Sequence, residues 1–141
     1  MDTPNYLQMY KQLRPKILIV ENQLIIAADV CLQCSKLGYD VIGINSRTED
    51  VLKTIEVNRP DIVLMNIGMK GQTDRLATAR IILDSFQIPV VLLSSYIDKN
   101  IFNQVIDIKP YAFISKPFEK KDLQRGIETA LFRMAVEGLI I

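Results

Sequence analysis

Lys16-Ile17-Leu18-Ile19-Val20 is an almost unbroken apolar run. A strand with one face in solvent alternates apolar and polar residues, whereas a run without alternation belongs to a strand covered on both faces. Asp61-Ile62-Val63-Leu64-Met65 and Pro89-Val90-Val91-Leu92-Leu93 repeat the pattern. Tyr111 to Ser115 is a shorter version, and Val41-Ile42-Gly43-Ile44 is weaker, as expected of a strand near an edge. Strands covered on both faces imply a parallel sheet between layers of helices.

The segments between these runs carry a helical period. Residues 23–37 place Ile25, Ala28, Leu32 and Leu37 on one side, and Gly38 supplies a stop signal. Residues 48–58 group Val51, Leu52 and Ile55 ahead of Asn58-Arg59-Pro60, and residues 74–86 turn Leu76, Ala79, Ile82 and Phe86 inward. Residues 99–108 turn Phe102 and Val105 inward, and residues 119–136 do the same with Leu123, Ile127, Ala130, Leu131 and Met134. Five successive β then α units with right-handed crossovers predict a doubly wound α/β sandwich.

Composition narrows the chemistry. The chain has 141 residues, 49% of them hydrophobic, and a domain of this size buries roughly 68–70% of its unfolded surface without disulfide or metal staples. Seventeen Lys and Arg against sixteen Asp and Glu leave a formal charge of +1, so no direct nucleic-acid partner is expected. The chain has no His, which excludes His-ligated zinc sites and Ser/His or Cys/His nucleophiles. No run reaches the roughly 20 apolar residues of a membrane span, and Met1 to Arg14 does not resemble a signal peptide. A cytoplasmic location without a membrane partner is expected. Cys31 and Cys34 form a C-x-x-C that permits a thiol redox reading. They fall inside a helical segment, where two small apolar thiols at i and i+3 pack on one face.

Ligands of such sheets bind beyond the carboxyl ends of the strands, where the strand order reverses. The residues there are Glu21 and Asn22, Asn66 and Gly68, Ser94 and Ser95, and Lys116 and Pro117. Neither G-x-G-x-x-G nor a Walker loop is present to cradle a nucleotide phosphate.

One carboxylate, two amides, a hydroxyl and a lysine on one rim resemble the site of response-regulator receiver domains, the CheY-like phosphorylation switches of two-component signalling. Ile17 to Asn22 is similar to the family's first strand with its acidic pair, Pro60 to Asn66 to the third strand ending at the phosphorylated aspartate, Pro89 to Ser95 to the fourth, and Phe113-Ile114-Ser115-Lys116-Pro117-Phe118 to the fifth. Asn66 follows Asn22 by 44 positions and Lys116 follows Ser94 by 22, as the family pattern requires. The resemblance implies a flavodoxin-like (βα)5 sandwich with strand order 2-1-3-4-5, over residues 15–137. Residues 1–14 are then an N-terminal extension and 138–141 a C-terminal tail, a cut end if the chain belongs to a longer protein.

The resemblance also assigns roles. Glu21, Asn22, Asn66 and Gly68 occupy the Mg²⁺ positions, and Asn66 the phosphoacceptor position. Ser94 and Lys116 form the phosphate pocket, Ser94 and Phe113 the switch, and Lys116-Pro117 is similar to the family's cis peptide. Two departures change the chemistry. An Asn amide lacks the anionic oxygen that accepts a phosphoryl group. Mg²⁺ is usually held by one or two carboxylates and waters, so a site with Glu21 as its only acid is expected to be weak.

The implied function is a non-enzymatic signalling module that works through protein contacts with a sensor histidine kinase or an output domain. One alternative is a phosphoryl-accepting receiver whose Asp has been replaced at Asn66, and a distant one is the redox pair. Ile101, Ile106 and Ile108 extend apolar character around the 99–108 helix. A surface helix normally confines it to one stripe. A homodimer or partner face over 99–108, 111–115 and 119–136 is therefore expected, as it is commonly used in the family. Tyr6, Met9, Tyr10 and Leu13 allow a short amphipathic turn at the start.

Overall fold

The computed structural model describes residues 14–67, 73–94 and 99–138. In chain order its elements are β1 (Lys16–Val20), α1 (Leu24–Lys36), β2 (Asp40–Asn45), α2 (Thr48–Val57), β3 (Ile62–Asn66), α3 (Thr73–Asp84), β4 (Val90–Ser94), α4 (Lys99–Ile108), β5 (Ala112–Ser115) and α5 (Lys120–Val136). The strands form one parallel sheet in the order β2-β1-β3-β4-β5. The weak 41–44 run thus lies at an edge, as expected. The order reverses between β1 and β3, and that reversal opens the crevice at their carboxyl ends.

Alternate strand residues feed two cores. Ile17, Ile19, Ile62, Leu64, Val91, Leu93 and Ile114 pack against α1 and α5. Leu18, Val20, Val63, Met65, Val90 and Leu92 pack against α2, α3 and α4. In the runs of β3 and β4 every residue is buried, which accounts for their lack of alternation.

The stop of α1 is a Schellman motif. Gly38 has φ +92, its N–H donates to the Ser35 carbonyl at 3.1 Å, and the Tyr39 N–H donates to the Cys34 carbonyl at 3.0 Å. Within α5, Gly126 lets the helix approach β5. A Cβ there would lie 2.4 Å from Ile114 Cδ1 and 2.6 Å from its Cγ1. Gly126→Val is expected to cost about 1–3 kcal/mol through overpacking, read as a lower urea midpoint at unchanged m.

Two helix faces differ from expectation. In α1 the buried stripe is Ala27, Val30 and Cys34, while Ile25, Ala28 and Leu32 are exposed and only Leu37 packs against the core. The segment is so rich in apolar residues that two stripes satisfy a helical period, and the one with Ala27 at its head turns toward the sheet. In α4 Ile101, Val105 and Ile108 are buried, and Phe102 and Ile106 are exposed. Phe102 is therefore not a core residue, and Ile101 and Ile108 are not surface residues. The inward spacing is four then three from Ile101, and Phe102 falls one position off it. The predicted faces of α2 and α5 are as expected, and Phe86 packs against the core just beyond α3.

Candidate functional site

β1 and β3 are neighbours, so the residue after one strand meets the last residue of the other. Asn66 and Ser94 are the final residues of β3 and β4 rather than the first residues after them, because parallel pairing continues through Asn66↔Leu93 and Ser94↔Ser115. The sheet therefore fixes both backbones. Glu21 is held the same way by its N–H, which donates to the Asn45 carbonyl at 3.0 Å.

Glu21, Asn66 and Ser94 are buried at the rim. The Asn66 amide nitrogen donates to Glu21 Oε1 at 2.5 Å, and Lys116 Nζ lies 3.7 Å from the same oxygen. The Gln23 N–H donates to Glu21 Oε2 at 3.0 Å. The Lys116 N–H donates to the Ser94 carbonyl at 2.8 Å, which ties the end of β5 to that of β4, and Lys116-Pro117 is cis. Burial pushes the Lys116 ammonium below its ordinary pKa, the Glu21 carboxylate opposes that shift, and Arg75 adds to it.

Sequence reasoning missed Arg75. Its side chain is buried, and Nη1 donates to the Asn66 carbonyl at 2.7 Å. A charged residue in an amphipathic helix reads as solvated. The available signal is spacing, since Arg75, Ala79 and Ile82 fall four and three apart on the buried face of α3.

Of the expected site residues, Glu21, Asn66, Ser94 and Lys116 come together. Asn22 is exposed beside them, and Phe113 is half-buried against the core shared with α4. Gly68 and Ser95 lie outside the described residues, as do the 1–13 segment with its amphipathic turn and residues 139–141. Cys34 is buried in the core within α1, and burial followed by the neighbouring Cys31 pushes its thiol from 9.0 up to about 12. A thiol held protonated is a poor nucleophile, so the packing role of the C-x-x-C is favoured.

The donor set does not fit Mg²⁺ well. Among the described residues Glu21 is the one carboxylate of the cluster; its Oε1 already accepts from the Asn66 amide and pairs with Lys116, and its Oε2 accepts from the Gln23 N–H. Among the described residues no group of three acidic, Cys or His side chains is placed to hold a metal. No described helix is long and apolar enough to cross a membrane.

The fold and this rim define the class of two-component receiver modules. The chain belongs to the response regulator receiver domain family, whose profile matches residues 17–128. It is 27% identical over 127 residues to the transcriptional regulatory protein PdtaR of Mycobacterium tuberculosis, a match covering 87% of this chain and 62% of that protein. It is 30% identical to the phyllosphere-induced regulator PhyR of Methylorubrum extorquens, over 83% of this chain and 43% of that protein. The chain thus spans under two thirds of these relatives. Among solved structures, the signal receiver domain of a modulated diguanylate cyclase from Desulfovibrio desulfuricans superposes with a TM-score of 0.80 at 31% identity, covering 88% of this chain and 98% of that one.

Proposed function

We propose that this chain is a receiver module that takes no phosphoryl group at Asn66 and signals through protein contacts. The observation that carries the reading is the Asn66 side chain. Its nitrogen donates to Glu21, so the acceptor position holds a neutral amide engaged in a hydrogen bond and offers no anionic oxygen. The partner is a sensor histidine kinase or an output domain, and the setting is the cytoplasm. Mg²⁺ at Glu21, Asn22, Asn66 and Gly68 is weak for want of carboxylates. The protein is not an enzyme.

The contact face combines α4, β5 and α5. Phe102 and Ile106 stand one helical turn apart on the outer side of α4. The outer strand β5 and the adjoining α5 form, among the described residues, an open groove of about 470 Å³ lined by Phe113, Ser115, Pro117, Asp122 and Arg125 among others. The same face serves a homodimer.

Amide spectra of the chain recorded with and without acetyl phosphate and Mg²⁺ test the proposal. Superimposable spectra at Val20 to Gln23, Ser94 and Lys116 are expected. Shifts that grow with donor at those residues and vanish on donor exhaustion would overturn it.

A further inference from the structure

We infer that Arg75 is the resident cation of the pocket: its guanidinium takes the electrostatic place of a divalent ion, so that Glu21 and Asn66 are held in their arrangement without metal. The inference rests on the proposed function only in treating Glu21, Asn66 and Lys116 as one pocket.

Arg75 is 4% exposed, and a buried charge requires compensation by hydrogen bonds and opposite charge. It obtains the first from the Asn66 carbonyl, to which Nη1 donates at 2.7 Å. The carboxylate of the pocket, Glu21, is reached through Asn66, whose amide nitrogen donates to Glu21 Oε1 at 2.5 Å. Lys116 stands on the same carboxylate at 3.7 Å. Two cations and one anion already meet here, so the described pocket is positive before any ion arrives. A divalent cation entering it would face both Lys116 and Arg75, and would have to take Glu21 Oε1 from Asn66 and Lys116. Guanidinium is charged at every physiological pH, so the competition never relaxes.

The sequence context fits this arrangement. Replacing an acceptor carboxylate by an amide removes a negative charge from the pocket and with it the electrostatic demand for a divalent ion. A single fixed positive charge on the inner face of α3 is then enough. The Asn66 backbone is held from both sides, by the sheet through the β4 pairing and by α3 through Arg75. The pocket becomes a fixed strut between β1, β3, β5 and α3, indifferent to the metal concentration around it.

The test uses Mn²⁺ as a paramagnetic probe on the full chain labelled with nitrogen-15. Amides of Val20 to Gln23 and Met65 to Ile67 are expected to show no selective broadening at millimolar Mn²⁺. Arg75→Met removes the charge while keeping an unbranched stem, and selective broadening is expected at a concentration at least about tenfold lower. Arg75→Lys keeps the charge and is expected to stay silent. If Arg75→Met does not fold, Lys116→Met takes its place: silence is expected because Arg75 remains. Selective broadening in the unaltered chain as strong as in Arg75→Met, a folded Arg75→Met that stays silent, or broadening gained by Lys116→Met or Arg75→Lys would each overturn the inference. A phosphate adduct on the unaltered chain would instead sink the proposed function and leave the Mn²⁺ result standing.

Discussion

Asn66→Asp is expected to turn a chain that takes no label from acetyl phosphate into one that takes a single phosphoryl group, an all-or-none change in intact mass. The introduced carboxylate oxygen would attack phosphorus and acetate would leave with the electrons of the broken bond. The surroundings favour a folded product. Lys116 lies 3.7 Å from Glu21 and Arg75 donates to the Asn66 carbonyl, so two basic side chains already flank the position where the second carboxylate would stand. Asn22→Asp, by contrast, adds an acid at an exposed position and leaves the acceptor an amide. It is expected to remain unlabelled. A label on Asn22→Asp, or none on a folded Asn66→Asp, would mean that the residue at 66 does not decide acceptance.

The second large effect separates the two faces of α4. Ile101 is buried and Phe102 and Ile106 are exposed. Ile101→Lys would place an unpaired charge in the core shared with α3 and β4 and is expected to cost about 3–5 kcal/mol, a large share of the 5–15 kcal/mol by which such domains are stable. Phe102→Lys with Ile106→Lys touches only the outer side and is expected to change stability by about 0.5 kcal/mol or less per site, while abolishing self-association. Sedimentation and urea melts of both variants distinguish these outcomes. An Ile101→Lys protein that melts like the unaltered chain would contradict the packing, and an outer-face double variant that sediments as before would remove the homodimer.

The sheet was legible because the runs at 16–20, 61–65 and 89–93 have no alternation, and only strands covered on both faces tolerate that. The rim was legible through spacing, since Glu21, Asn66, Ser94 and Lys116 each fall at a strand end and a parallel sheet brings such ends together. Helix faces were less legible. Where α1 and α4 carry more apolar residues than one stripe needs, periodicity admits two solutions, and only contact with the sheet selects Ala27, Val30 and Cys34 in the first and Ile101, Val105 and Ile108 in the second. Arg75 was legible as a position on the inner stripe of α3 but not as a buried charge. Its burial depends on the Asn66 carbonyl nine residues away, a partner that no helical period reveals.

The central claim is that the acceptor position is chemically silent. Intact-mass analysis of the unaltered chain after incubation with acetyl phosphate and Mg²⁺, followed by peptide mapping across residues 60–67, tests it most directly. The account predicts one unmodified species under conditions that label Asn66→Asp. A single-phosphate adduct mapped to the peptide holding Asn66, on a chain confirmed to carry the amide there, would contradict it.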